Sequence, residues 1–142
     1  MGQVNFYTLS SAEPGAALQF ACRLTEKARE LGHRVYIQTS NPAQARALDD
    51  LLWSQRPTSF IPHALREDPS APLSEVVTVA ALAPPPEFTD VLINLASTAC
   101  QQHGQFARIN EIVAADVDSI RDGRERYRYY REAGVALETF KL

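Results

Sequence analysis

The sequence is poor in the features that announce most chemistries. Its two cysteines, Cys22 and Cys100, lie far apart with no motif around either. That excludes a disulfide framework and a cysteine-rich zinc site, and leaves reduced, buried thiols in a cytoplasmic protein as the expectation. The longest apolar stretch, Val76 to Ala83, is interrupted by Thr78 and falls far short of the ~20 residues needed to cross a bilayer. The start, Met1 to Phe6, has neither the basic region nor the apolar core of a secretory signal, and Phe6 stands where myristoylation wants Ser or Thr. There is no excess of positive charge: the net charge of −3 over 142 residues argues against a protein that neutralises phosphates over its whole surface. Low-complexity tracts and internal repeats are absent, and the length fits one domain, residues 1–142.

The usual catalytic arrangements are missing too. His33, His63 and His103 are scattered, without a close second ligand to suggest zinc. No serine sits in a G-x-S-x-G elbow. Asp116 and Asp118 precede a helix, where acids cap the free N–H groups and complement the dipole. Asp49 and Asp50 read as the solvated face of a helix. No catalytic residue, metal ligand or cofactor site is expected.

What is present is an alternation of strand-like and helix-like segments. Val4 to Leu9 reads as a first strand. Pro14-Gly15 opens a helix whose inward face is Ala17, Ala21, Leu24, Ala28 and Leu31, with Gly32 as its C-terminal cap. Arg34 to Gln38 is a second strand. Asn41, Pro42 and Gln44 form the start signal of a second helix, with Ala45, Leu48, Leu51 and Leu52 inward. Short strands are expected at Ser59 to Pro62, Leu73 to Ala81, Asp90 to Leu95 and Ala107 to Val113, with a short helix through Cys100. Val117 to Ala133 is the last helix, closed by Gly134, and Val135 to Phe140 a final extended segment. The pattern predicts an α/β fold: an open, mostly parallel sheet with helices on both faces. Such folds often hold nucleotides, yet neither G-x-x-x-x-G-K-[ST] nor G-x-G-x-x-G follows the first strand, so the phosphate-binding loop is missing.

Two features stand out. Trp53, the only tryptophan, lies about 140° around the helix axis from the core residue Leu48. Phe60, Pro62 and His63 follow shortly after it. An aromatic off the core face beside a Phe-x-Pro turn fits an interface anchor; from residue type alone, packing of Trp53 on Phe60 to close the end of the domain is the favoured reading. The second feature is the arginine-rich stretch Arg121 to Arg131. Arg124, Tyr127, Arg128 and Arg131 recur at i, i+3, i+4 and i+7 and share one helix face. That face suits carboxylates beside an apolar side chain, or a few single-stranded nucleotides; a solvated helix with snorkelling arginines has the same pattern.

Asn5-Phe6-Tyr7, Leu48-Asp49-Asp50-Leu51-Leu52-Trp53, Ser59-Phe60-Ile61-Pro62-His63, Val91-Leu92-Ile93-Asn94-Leu95 and the run from Arg124 to Gly134 together resemble the chi subunits of bacterial DNA polymerase III, in order and spacing along nearly the whole chain. Departures lie mainly between Glu67 and Pro86. The resemblance implies a nucleotide-binding-like fold without its site and a non-enzymatic, accessory role in replication. It implies two partners: the psi subunit, which tethers chi to the clamp-loader complex, and the C-terminal tail of the single-stranded-DNA-binding protein. It assigns Trp53, Phe60, Pro62 and His63 to psi, and Val113, Arg124, Tyr127, Arg128 and Arg131 to the tail. Direct DNA contact is expected to be weak or absent. The alternatives are a nucleotide- or phosphate-binding α/β enzyme, using strand ends near Leu9 and Ser40, and a direct single-strand binder using the Arg/Tyr helix.

Overall fold

The computed structural model describes residues 2–54, 62–71, 73 and 76–142. The strands are β1 (Gln3–Thr8), β2 (Val35–Gln38), β3 (Ala64–Leu65), β4 (Val77–Ala80), β5 (Val91–Asn94), β6 (Arg108–Val113) and β7 (Ala136–Lys141), and the helices are α1 (Ala16–Glu30), α2 (Pro42–Ser54) and α3 (Val117–Glu132). The seven strands form one sheet in the order β3-β4-β2-β5-β6-β1-β7. Every pairing is parallel.

Two apolar layers sandwich the sheet, because successive strand residues point to opposite faces. Val35, Ile37, Val79, Ile93 and Ile112 pack with Ala21 and Ala28 of α1 and Leu48 and Leu52 of α2. Their neighbours Tyr36, Leu92, Ile109 and Val113 pack with Phe6 and with Tyr130 of α3. Helices α1 and α2 therefore lie on one face and α3 on the other. The four-residue strands β4 and β5 are buried throughout, as expected of strands covered on both sides.

Local signals place the helix ends. Asn41 Oδ1 accepts from the Gln44 N–H at 2.8 Å, and Gln44 Oε1 accepts from the Ser40 N–H at 2.8 Å. This is a reciprocal cap shifted one residue upstream of the usual capping box. Asp116 caps α3 by accepting from the Ser119 N–H at 3.1 Å. Gly32 and Gly134, at φ 82° and 77°, supply the left-handed turns that end α1 and α3.

The structure corrects three expectations, and a fourth lies largely outside the described residues. Leu31 is 66% exposed, because α1 has ended by that point and the turn through Gly32 carries the side chain outward. The strand expected at 59–62 falls largely outside the described residues; Pro62 is not in a strand, and the two-residue β3 follows it. No helix runs through Cys100: Asn94 Nδ2 donates to the Thr98 carbonyl (2.9 Å) and Asn94 Oδ1 accepts from the Ala96 N–H (3.0 Å). That side chain offers the backbone a turn in place of a helix, and the only helical turn there is a 3₁₀ turn at His103–Gln105. Asp49 is not on a solvated face; it is partly buried against His63.

Candidate functional site

The carboxyl ends of the strands are where α/β proteins hold nucleotides. A cavity of about 240 Å³ opens there, lined by Ser40, Gln44, Ser97, Ser119, Asp122 and Arg126 among others. One N-terminal donor of each flanking helix is taken by its own cap, Gln44 N–H by Asn41 and Ser119 N–H by Asp116. Asp116 and Asp122 place negative charge where an anion would sit. Arg126 is also committed, donating from Nε to Glu111 Oε1 at 2.8 Å, from Nη2 to the Ile112 carbonyl at 3.2 Å and from Nη1 to the Ser97 carbonyl at 3.3 Å. Among the described residues, no three His, Cys, Asp or Glu side chains are grouped to hold a metal ion, and no helix is long and apolar enough to cross a membrane.

Sequence reasoning did not find the centre of this region. Glu111 is fully buried, and its other oxygen accepts from Tyr130 OH (2.6 Å) and Asn94 Nδ2 (2.8 Å). Tyr130 OH in turn accepts from the Cys100 N–H at 2.9 Å. Burial pushes the Glu111 carboxyl above its ordinary range, while the Arg126 guanidinium and the other donors pull the other way. The network pins α3 to the ends of β5 and β6. The signal that could have found it is Arg126 itself, which lies on the opposite flank of the helix from the other arginines.

Counted from the buried Gly123, the side chains of Tyr127, Arg131, Arg124 and Arg128 lie about 40°, 80°, 100° and 140° around the axis of α3. The four expected tail-binding residues therefore form one continuous flank. Tyr127 is half-buried at its inner boundary, its ring edge-on to Phe6 with centroids 5.3 Å apart. Arg124, Arg128 and Arg131 are exposed. Arg128 Nη2 lies 3.3 Å from Glu125 Oε1, an exposed i,i+3 pair. Such a pair is held weakly and can be exchanged. Val113, the fifth expected residue, is 7% exposed and lies directly beneath Gly123.

At the other end of the molecule, Trp53 is 52% exposed on the last turn of α2. Its ring sits 4.4 Å from that of His63. The His63 side chain is buried, with Nε2 3.2 Å from Asp49 Oδ1 and 3.3 Å from the Asp49 carbonyl. His63 thus ties the segment after α2 back to the helix and supports the indole from below. Pro62 is exposed beside it. Phe60 lies outside the described residues.

A family model described as DNA polymerase III chi subunit, HolC, matches residues 1–138. The chain is 41% identical over 143 residues to the DNA polymerase III subunit chi of Pseudomonas aeruginosa, covering 100% of this chain and 98% of that one. It is 28% identical over 144 residues to the subunit chi of Escherichia coli, covering 98% and 97%, and 28% identical over 134 residues to that of Haemophilus influenzae, covering 94% and 93%. A parallel α/β sheet covered by helices on both faces, with Trp53 exposed on α2 and an arginine-rich flank exposed on α3, thus coincides with full-length similarity: the chain belongs to the DNA polymerase III chi-subunit family, accessory subunits of the bacterial replicative polymerase.

Proposed function

We propose that the chain is a non-catalytic adaptor with two independent protein-binding surfaces, working in the cytoplasm. The Trp53 surface pairs with the psi subunit and through it with the clamp loader. The α3 flank binds the C-terminal tail of the single-stranded-DNA-binding protein. The observation that carries this reading is the placement of the two groups on helices that cover opposite faces of one sheet, α2 and α3. A single partner of ordinary size buries only about 800 Å² per side, so two surfaces separated by a sheet serve two partners.

At the first surface, Trp53 is the anchor and Pro62 and Phe60 extend it. His63 orients the indole and needs no chemistry of its own. At the second, the acidic tail ends in a phenylalanine with a free carboxylate, as the family resemblance implies. Arg128 exchanges its Glu125 contact for that carboxylate, which a guanidinium engages through two parallel hydrogen bonds. Arg124 and Arg131 attract the preceding acids, and Tyr127 walls the slot for the terminal ring. Val113 acts from beneath, by fixing the height of the helix at Gly123. Calorimetric titration of the chain with a tail peptide, free or amidated at its C-terminus, tests the assignment. Amidation should weaken wild-type binding by about tenfold and leave Arg128→Ala unchanged, because both remove the same contact. Full additivity of the two changes would remove Arg128 from the site.

A further inference from the structure

On the face of the sheet that carries α1 and α2, α1 reaches β1 through the contact of Phe20 with Tyr7. A cavity of about 280 Å³ lies beside α1 there, with Tyr7 and Phe20 in its wall and Asn110 in its lining. Asn110 is 5% exposed, and its Oδ1 accepts no hydrogen bond from the protein. Buried amide oxygens are nearly always paired, so this one calls for a donor from a ligand. The rim is cationic: Arg23 and Lys27 stand one turn apart on α1 and Arg108 faces them from β6, all exposed and none ion-paired among the described residues. The nearby carboxylates are engaged elsewhere, Asp90 with His33 Nδ1 (3.0 Å) and the Arg34 N–H (2.8 Å), and Glu138 with Gln3 Nε2 (2.9 Å).

The shape selects among anions. A second cavity of about 730 Å³ shares Phe20 and Arg23 and continues past Leu9 and Glu13 to Leu142, so the cationic part of the groove is the half beside Lys27 and Arg108. Together they make a groove that follows α1 for roughly 20 Å, at 1.5 Å per residue. That is too long for a small molecule and suits an extended chain. The aromatic rings are not open platforms for bases. Tyr7 is stacked on Phe140 (5.2 Å, 18°) and tilted against Phe20 (5.3 Å), and the Arg23 guanidinium lies 5.6 Å from the Phe20 centroid. Base stacking needs a free face, whereas a peptide needs only a donor for Asn110 and carboxylates for the rim.

We infer that the groove between α1 and the β1–β7 edge of the sheet binds an extended acidic peptide segment of a partner protein. A peptide N–H donates to Asn110 Oδ1, and flanking carboxylates meet Arg23, Lys27 and Arg108. The site lies on the face of the sheet opposite α3 and is independent of the tail site proposed above.

The test is titration of the ¹⁵N-labelled full chain with a synthetic peptide of alternating glutamate and leucine, blocked at both ends so that no terminal carboxylate is present. Amides of Arg23, Lys27, Arg108 and Asn110 should shift. Lys27→Glu combined with Arg108→Glu, both exposed positions, should weaken binding by about tenfold or more, and Arg128→Ala should leave it unchanged. Shifts confined to α3, or equal affinity for the charge-reversed chain, would overturn the proposal. So would a silent peptide together with a thymidine oligonucleotide that moves the same amides, which would make the groove a nucleic-acid site.

Discussion

A Cβ placed on Gly123 would lie 2.9 Å from Cγ2 of Val113, so α3 rests on β6 at its observed height only because residue 123 has no side chain. Gly inside a helix costs about 1 kcal/mol against Ala, and here that cost accompanies a close approach of helix to strand. Val113 is β-branched and buried, so it cannot swing aside cheaply. Gly123→Ala should therefore destabilise the chain by about 1 kcal/mol, the overpacking penalty outweighing the gain in helix propensity. Thermal unfolding checks the sign; a more stable variant would show that the helix can lift freely. Because α3 must lift, tail affinity should fall in the same variant.

The buried pair behind α3 makes a sharper demand. Glu111→Gln removes the carboxylate from a guanidinium that is 5% exposed, and breaking such a pair from one side costs roughly 3–5 kcal/mol. Adding Arg126→Met should recover part of that loss, since no buried charge is then left alone. Denaturant titration of the single and double variants decides it. A single variant costing under about 1 kcal/mol would mean that water or a neighbour reaches Arg126 with ease.

How much of this was legible in the sequence depends on range. Gln44 reaches back one residue further than the usual box, to Ser40, while the caps at Asn41 and Asp116 make the expected bonds and are local. So are the helix periodicity and the parallel sheet that follows from alternation. The surface arginines and Trp53 were visible as residues displaced from a core stripe. The Glu111 network was not, because it joins β5, β6, the loop after β5 and α3, and no spacing rule connects those segments. The turn at Asn94 was missed for a related reason: one side chain diverts the backbone from a helix that local composition favours.

Both cysteine thiols are buried in the folded chain. Burial pushes Cys22 and Cys100 up to about 11, so the thiolate needed for disulfide exchange is scarce at neutral pH. A chromogenic disulfide reagent at pH 8 should react with neither thiol until denaturant is added, and then with both. Rapid reaction of either thiol in native conditions would contradict the packing around it.

Acid should loosen α3 from its first turn. Hydrogen bonds from the Ser119 hydroxyl and backbone N–H hold the Asp116 carboxyl below its usual value. A depressed folded pKa contributes stability above the unfolded value, and that contribution disappears as pH falls through the folded one. Ser119 amide exchange should accelerate below about pH 4 relative to amides in the middle of α3. Asp116→Asn, which keeps a capping oxygen without the charge, should abolish that pH dependence. If the Ser119 amide is equally protected across the range, the cap does not depend on the carboxylate.

The tilted contact of Trp53 with His63 predicts a graded response at the other surface. Trp53→Ala should weaken psi binding by about thirtyfold, the loss of a typical aromatic anchor. His63→Gln should weaken it less, by removing support for the indole. Equal psi affinity for folded Trp53→Ala would shift the interface away from α2.

The most direct measurement is a crossed titration. Wild type, Trp53→Ala and Arg128→Ala are each titrated with psi and with the tail peptide in the same buffer, and wild type is titrated with the peptide after saturation by psi. Two independent surfaces predict that Trp53→Ala loses psi alone, that Arg128→Ala loses the tail alone, and that psi-saturated wild type binds the tail with unchanged affinity. Loss of both partners in either variant, or displacement of the tail by psi, would contradict a two-sided adaptor and place both partners on one shared surface.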